Sequence, residues 1–376
     1  MIRFLRNVFM LFFIVVALGG GGWLYWQNQM RLEKEKLALA LQQKDFVFLA
    51  EHFKNLKLKE DSSSESYLEK CFYKATALQN LKQTFEAKPF WELLAKNTLN
   101  RDHCAQAMYS LGLQALQSNN TQEALSWFEG KILSDLQCSL YGSAMLEIAR
   151  IYGQSKEGKH WDKAVAILRA ALKKIQNPAA IQEIKTLCGE LNEKRLYSRT
   201  VLPNFINHEV SSGESLALIA QKYNSTVDLI MKTNALKSSR LRPHNHLKIF
   251  TGTFSTQISK TENTLTLLEN DEFFKEYLVG TGKDNTTPVG DFEITSKQAN
   301  PIWYRPDGSI IPFGNKENLL GTRWMSINYP GYGIHGTWDS ESLGKQSSAG
   351  CVRLRNADVE ELFTILPLHT KVKIVE

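Results

Sequence analysis

Several features that define specialised protein classes are scarce or missing in this sequence of 376 residues. Its 23 glycines and 10 prolines are too few for a collagen-like chain, and with 43% apolar residues a wholly disordered chain is excluded as well. Lysine and arginine form no dense stripe with interleaved aromatic residues, so a nucleic-acid partner is not implied. The net charge of +6 suits a polyanionic polymer or an anionic membrane surface. The length predicts two or three folded units.

Long apolar runs are confined to the amino terminus, which excludes a protein with many membrane spans. No charged residue lies between Arg6 and Arg31, and the apolar stretch ends in aromatic residues suited to a headgroup layer. A cleaved signal peptide is the alternative, with Ala17 and Gly19 as the small residues at the cleavage site. We favour an uncleaved anchor over residues 1–30, because the apolar run continues past that site. Either interpretation predicts that the rest of the chain is exported.

The region 31–200 has apolar residues at helical spacing throughout, with few glycines and prolines. Two stretches repeat a similar order of small and large residues, namely Leu111, Gly112, Ala115, Ala124 and Phe128, and then Ile148, Ala149, Tyr152, Ala164 and Leu168. This order resembles the tetratricopeptide pattern, in which small residues let two helices pack closely. A protein-docking groove is one interpretation. We favour a helical spacer that lifts the later domains off the membrane, because two imperfect repeats seldom form a complete groove.

A different pattern occupies residues 206–251: a short strand, a Ser-Gly turn, two short helices and a closing strand. Its motif residues resemble those of a LysM module and comprise Val210, Gly213, Glu214, Ser215, Leu216, Ile219, Ala220, Tyr223, Asn234, Leu236, Pro243, Leu247 and Ile249. The resemblance implies a small α+β fold of βααβ order that binds glycans containing N-acetylglucosamine, such as peptidoglycan. His244 stands where the family usually has glycine, and we expect the turn to survive because Asn245 tolerates left-handed backbone geometry.

The last part of the chain is predicted to be mostly β, over residues 263–376, after a Ser/Thr-rich linker at 253–262. Apolar and polar residues alternate at 264–268, and 273–279 is expected to return as the hairpin partner of that strand. Helical spacing appears only near the end, at 357–366.

A histidine and a cysteine in this domain have the residue types needed for thiol chemistry. Cysteine catalysis needs a thiolate, and a nearby imidazole lowers the thiol pKa and carries the proton, which is the role available to His335 beside Cys351. Gly350 allows the backbone to turn sharply and approach a substrate. Arg353 falls two positions after the cysteine, on the same face of a strand, where it can bind a carboxylate with two hydrogen bonds.

These residues lie in the segments His335-Gly336-Thr337 and Ser348-Ala349-Gly350-Cys351-Val352-Arg353-Leu354, which with Thr287-Pro288-Val289-Gly290 resemble the YkuD-type L,D-transpeptidase family over about residues 263–376. The resemblance implies that Cys351 is the nucleophile, that His335 is the general base and acid, and that the Gly336 carbonyl orients the imidazole. It also implies an oxyanion hole formed by the backbone amides of Ala349, Gly350 and Cys351, and substrate binding by Arg353, Ser348 and Tyr332. Many members have histidine where this chain has Ala349, a difference that bears on pocket shape. No metal or cofactor is implied.

The other four cysteines, Cys71, Cys104, Cys138 and Cys188, all fall in the helical region. An even number in an oxidising compartment allows two disulfides in three connectivities, and four buried free thiols are the alternative. Cys351 is the odd thiol, which in an exported protein points to a reactive one.

Together the two resemblances imply a cell-wall enzyme that forms 3→3 peptidoglycan cross-links from tetrapeptide stems through a thioester. The family resemblance also implies that carbapenems acylate this enzyme. Two alternatives remain open: L,D-carboxypeptidase or endopeptidase action on the same stems, and a non-catalytic wall-binding scaffold. The expected partners are peptidoglycan and, through the span, the inner membrane. A protein partner of the helical region is left open. The expected location is the inner (cytoplasmic) membrane, single-pass, with the catalytic part in the periplasm.

Overall fold

The structure is a computed structural model that describes residues 23, 25–59, 62, 64–97, 99–130, 140–305 and 307–376. The predicted anchor at 1–30 lies mostly outside the described residues, and so does Cys138. None of the helices formed by the described residues is both long enough and apolar enough to cross a membrane. The chain divides between Ala144 and Met145 into two compact units.

The first unit is helical, as predicted for this region. A helix over 25–42 (α1) is followed by α2 (Phe46–His52), α3 (Glu65–Asn80), α4 (Thr84–Lys96), α5 (Arg101–Gln117) and α6 (Thr121–Phe128). Asparagine side chains that accept hydrogen bonds from the third following amide begin both α5 and α6. Between these two helices Gly112 is packed so closely that a Cβ there would lie 2.4 Å from the Phe128 ring. Gly112, a small residue of the first repeat, therefore lets α5 and α6 pack closely, as the repeat pattern predicted.

The second unit begins with three helices, of which α7 (Tyr141–Gln154) crosses the division between the units. It continues with α8 (Gly158–Leu172) and α9 (Pro178–Tyr197). Asn177 caps α9 through its side-chain oxygen, and the helix starts with a proline, which has no N–H to leave unpaired. The apolar residues of the second repeat, Ile148, Ala149, Ala164 and Leu168, are all buried.

The LysM segment has the predicted βααβ order: β1 (Phe205–Glu209), α10 (Leu216–Lys222), α11 (Val227–Thr233) and β2 (His246–Phe250). β1 and β2 pair antiparallel, with Phe205 opposite Phe250. Side-chain oxygens of Ser215 and Thr226 cap the two helices. The left-handed residue of the turn before β2 is His244 itself, at φ +67°, and not the neighbouring asparagine that was expected to absorb the geometry.

The carboxyl-terminal region is mostly β, as predicted, and its main sheet has eight strands in the order β13-β11-β10-β7-β14-β3-β4-β5. These strands are β3 (Phe254–Ser259), β4 (Thr264–Glu269), β5 (Glu272–Leu278), β7 (Gly290–Ala299), β10 (Arg323–Ile327), β11 (Gly333–Thr337), β13 (Val352–Arg355) and β14 (Lys371–Val375). Two small pairs join β6 (Thr281–Gly282) to β12 (Gln346–Ser348) and β8 (Trp303–Tyr304) to β9 (Ile310–Ile311). Two 3-10 turns, Lys283–Asn285 and Ser340–Ser342, complete the connections.

The stretch interpreted as a Ser/Thr-rich linker is instead β3, so the linker prediction is wrong. β3 pairs parallel with β14 and antiparallel with β4, in the middle of the sheet. Its Thr256 and Ile258 are buried, because the pleat turns alternate residues into the core. The sheet therefore begins at Phe254, before the predicted boundary at residue 263.

One hydrophobic core joins the parts of the second unit. The helix α12 (Asn356–Ile365) packs on β10, β11 and β13 and contributes Val359, Leu362 and Ile365 to that core. Leu229 and Phe250 of the LysM segment belong to the same core, as do Trp161 and Leu196 from the helices α8 and α9. The LysM module and these helices are therefore packed against the sheet.

Charged groups reinforce the contact between α8, α9 and the sheet. Glu269 at the end of β4 is almost fully buried between Arg169 (Nη2–Oε2 2.7 Å) and Arg195 (Nη1–Oε2 3.2 Å). Lys185 of α9 also reaches Glu276 of β5 at 2.6 Å. This part of the region predicted to be a spacer is thus packed on the main sheet.

Candidate active site

The site is built where β11 and β13 lie side by side as parallel strands, with His335 opposite Arg353. All five residues of β11 are buried. Close packing on both sides of the strand requires glycine: a Cβ on Gly333 would lie 2.6 Å from the Met325 carbonyl, and one on Gly336 would lie 2.2 Å from Asn356 Oδ1. Gly333 and Gly336 therefore let neighbouring chain segments approach closely the strand that carries His335.

The imidazole of His335 is buried, with only 3% of the residue exposed, and it is fixed by the backbone. Its Nδ1 lies 2.7 Å from the Gly336 carbonyl oxygen. A carbonyl can only accept, so Nδ1 carries the hydrogen and Nε2 presents its lone pair. The Trp324 ring stacks on the imidazole, with 5.5 Å between centroids. The sequence argument missed this tryptophan.

Burial lowers the pKa of His335 to about 4, and the positive charge of Arg353 acts in the same direction. The backbone carbonyls of Gly336 and Leu320 favour the charged form of the ring but do not outweigh burial. The imidazole is therefore neutral at physiological pH, the state in which it can accept a proton.

The thiol of Cys351 lies just before β13 and is half-buried. Its sulfur donates to the Gly331 carbonyl at 3.7 Å. Burial raises the thiol pKa, against the smaller lowering effects of the Gly333 backbone and of Arg353. The shift is opposite to the one expected from the sequence, because burial of the thiol outweighs the groups that lower its pKa. With its pKa raised, the Cys351 side chain is a neutral thiol at physiological pH.

The loop that ends at the cysteine is held by hydroxyl groups. Ser348 is buried, and its Oγ donates to the Cys351 carbonyl at 2.6 Å and accepts from the Gly350 amide at 3.0 Å. Gly350 has φ +135°, and a Cβ there would lie 2.5 Å from the Tyr332 ring, so only glycine fits. The Gly350 amide already has this partner, which leaves the amides of Ala349 and Cys351 as the remaining candidates for an oxyanion hole.

Thr287 also holds this loop, and its part in the site could not be foreseen from the sequence. Its hydroxyl accepts from the Gly282 amide at 2.7 Å and donates to the Gly350 carbonyl at 2.8 Å. The residue is 2% exposed. The signal available in the sequence was its place in Thr-Pro-Val-Gly, which belongs to the family resemblance but assigned Thr287 no contact with the cysteine loop.

The guanidinium of Arg353 has hydrogen-bonding capacity to spare. Its backbone exchanges two hydrogen bonds with Gly280, at 2.8 and 2.9 Å, which fix the residue in place. Its Nε is buried and has no hydrogen-bond partner among the residues that the structure describes. Leaving such a group unpaired costs stability, so a bound carboxylate would be stabilised here.

The predicted site residues thus fall into one region of the fold. Tyr332 packs against Gly350, Ser348 donates a hydrogen bond to the Cys351 carbonyl, and His335 lies opposite Arg353 in the register of β11 and β13. Ala349 is exposed at the tip of the loop. Across the described ranges, no three His, Cys, Asp or Glu side chains are grouped so that they could hold a metal ion.

Two family models match the chain, in the places that the structure gives these domains. Residues 255–374 match the L,D-transpeptidase catalytic domain of the YkuD type, and residues 208–250 match the LysM domain. The first model begins within β3, so the matched domain includes most of that strand.

Proteins with related sequences match over the same region. A Bacillus subtilis (strain 168) protein provisionally named L,D-transpeptidase YqjB is 39% identical over 32% of this chain and 69% of its own length. A second, provisionally named L,D-transpeptidase YkuD, is 32% identical over 45% of this chain and 98% of its own. A crystal structure of an L,D-transpeptidase from Mycobacterium tuberculosis H37Rv is 15% identical over 36% of this chain and 75% of that chain, with a TM-score of 0.29. On its sequence and its matched domains, the chain belongs to the YkuD family of L,D-transpeptidases.

Proposed function

We propose that this protein forms 3→3 cross-links in peptidoglycan, with Cys351 as the nucleophile and a thioester intermediate. The observation that carries the proposal is the pairing of β11 with β13, which sets a buried neutral imidazole beside the strand that Cys351 precedes. His335 Nε2 takes the thiol proton as sulfur bonds to the carbonyl carbon of the third stem residue. The C–N bond to the terminal D-alanine then breaks, and the proton passes to its nitrogen.

The second half of the reaction transfers the acyl group. An amine of a neighbouring stem attacks the thioester carbon, the C–S bond breaks, and the sulfur regains a proton as the new amide forms. Water in place of the amine would give a shortened stem instead. The chemistry at Cys351 is the same in both cases, so the acceptor alone separates transpeptidation from hydrolysis.

Substrate recognition is proposed to use both matched domains. Arg353 binds a stem carboxylate, which the unpaired buried Nε supports. The LysM segment binds the glycan, and because it shares a core with the sheet it holds the polymer at a set distance from the thiol. Binding at both places raises the local concentration of stem peptides.

The location is proposed from the substrate and the amino-terminal sequence. Residues 1–30 anchor the chain in the inner membrane with the amino terminus in the cytoplasm, because peptidoglycan lies outside. Activity of a periplasm-dependent reporter fused after residue 376 is the expected result. A reporter active only in the cytoplasm would contradict this orientation.

The activity is tested by mass spectrometry of muropeptides after incubation with the purified full-length protein. Cross-linked dimers are expected with the wild type and none with Cys351→Ala, while binding to peptidoglycan is kept. Cys188→Ala removes a thiol of the same unit outside the site and should retain activity. Shortened monomers would identify a carboxypeptidase or endopeptidase, and unchanged material would identify a non-catalytic scaffold.

A further inference from the structure

The carbonyl of the Gly350–Cys351 peptide bond is held by a residue outside the loop that ends at Cys351. Thr287 donates to the Gly350 carbonyl at 2.8 Å. Ser348, in contrast, bonds to the amide before this peptide and to the carbonyl after it. The direction of the Gly350–Cys351 peptide plane therefore depends on Thr287.

A planar trans peptide has its C=O and N–H pointing in opposite directions. None of the described peptide bonds is cis. With the Gly350 oxygen directed at Thr287, the Cys351 N–H must point to the other side of the loop. Gly350 also lies at φ +135°, where glycine has the freedom to rotate, so this peptide is easily turned unless something holds it.

We propose that Thr287 is a positioning residue that sets the direction of the Cys351 amide, and with it the oxyanion hole, for thioester formation. The inference rests on the function proposed above. During attack the sulfur bonds to the carbonyl carbon, the π electrons move to oxygen, and the thiol proton passes to His335. The Cys351 N–H donates to that oxygen, and such a donor stabilises the transition state only if it already points there.

The position of Thr287 is itself fixed by the surrounding backbone. Its hydroxyl accepts from the Gly282 amide at 2.7 Å, so its own hydrogen is directed at the Gly350 carbonyl. A Cβ on Gly282 would lie 2.9 Å from the Gly350 Cα and 2.7 Å from the Thr287 amide, which shows how closely these segments pack. The Thr287 hydroxyl thus connects the Gly282 amide in β6 to the Gly350 carbonyl.

The test separates oxyanion stabilisation from thiol reactivity by measuring two reactions of Cys351. Acylation by a carbapenem opens the lactam C–N bond through an oxyanion and is followed by intact-protein mass. Alkylation by iodoacetamide displaces iodide at a saturated carbon and forms no oxyanion. We expect Thr287→Val to slow acylation by about tenfold to hundredfold, which is less than the loss of a whole oxyanion donor, and to leave alkylation within about twofold of the wild type.

Two further variants make the comparison specific. Thr287→Ser keeps the hydroxyl and should restore most of the acylation rate. Thr286→Val is the matched control: Thr286 is exposed and donates to the Lys283 carbonyl at 2.9 Å, and its loss should leave both rates unchanged. If Thr287→Val does not fold, Thr287→Ala is compared with Thr287→Ser in the same way.

Each outcome decides the question. Acylation of Thr287→Val at the wild-type rate, or an equal loss of acylation and alkylation, would overturn the positioning role. A wild type that iodoacetamide alkylates, but that neither takes up carbapenem nor changes muropeptides, would instead reject the proposed thioester chemistry, and with it this inference.

Discussion

Glu269 offers the sharpest test of the packing between the helices α8 and α9 and the sheet. Its carboxylate is nearly inaccessible and lies between Arg169 and Arg195, while its other oxygen accepts from Asn204 at 3.3 Å. Replacing it by glutamine keeps the shape and removes the charge. Breaking a buried ion pair by changing one partner costs about 3–5 kcal/mol, because a charge is left buried without its counterpart.

The low end of that range is expected here. Arg195 keeps a second carboxylate, Asp162, at 2.6 Å, and Arg169 also donates to the Phe273 carbonyl at 2.8 Å. We therefore expect Glu269→Gln to lower the free energy of unfolding of this part of the second unit by about 3 kcal/mol. The matched control is Glu272→Gln, whose partner Lys173 lies at 2.7 Å but on the surface, and which should cost less than about 1 kcal/mol.

Hydrogen exchange of peptides from α9 and β5, followed over a series of urea concentrations, measures this loss where it occurs. Burial alone would raise the pKa of Glu269, but the charges and hydrogen bonds of Arg195 and Arg169 outweigh it and lower that pKa. A lowered folded-state pKa stabilises the protein above the unfolded value of about 4.3, and the stabilisation is lost as the pH falls through the folded-state pKa. The difference between wild type and variant should therefore shrink in acid. Equal losses for Glu269→Gln and Glu272→Gln would refute the reasoning.

Three further predictions concern the proposed catalytic residues and the LysM turn. Because burial holds the pKa of His335 near 4, carbapenem acylation of Cys351 should keep its rate from neutral pH to about pH 5; an acid limb near the ordinary value of about 6.5 would contradict this. Arg353→Ala should weaken carbapenem capture in concentration-dependent mass measurements but not iodoacetamide alkylation; unchanged capture would exclude the carboxylate contact. His244→Gly should raise the free energy of unfolding, measured by thermal unfolding, by about 1 kcal/mol, because glycine relieves the left-handed backbone. The control His246→Gly, in β2, should lower it. A less stable His244→Gly would show that the contact of His244 with Glu209 matters more.

Local patterns in the sequence were enough to predict the elements that are formed by neighbouring residues. Alternation identified β4, and β5 was expected as its hairpin partner. Helical spacing identified α12, and motif residues identified the LysM fold. These signals are local because side-chain period and turn residues are set within a few positions. The grouping of the histidine, cysteine and arginine came from the family resemblance.

The features that the sequence analysis missed depend on residues that are distant along the chain. β3 is a strand because β14, at the other end of the domain, pairs with it, and its serine and threonine side chains give no sign of that partner. Glu269 looks like an ordinary charged residue at a strand end until two arginines from the helices surround it. The effect of burial on the thiol pKa likewise requires the folded environment.

The joint between the LysM segment and the sheet limits how this protein can be re-engineered. Phe250 ends β2, Phe254 opens β3, and their rings stack with 4.6 Å between centroids across a three-residue connection, 251–253. A LysM module transplanted from another protein would arrive without this aromatic partner and without Leu229 in the core. One residue inserted in the connection would change the relative position of Phe250 and Phe254, so that their rings would no longer stack. Domain shuffling at this boundary therefore has to exchange both sides of the joint together.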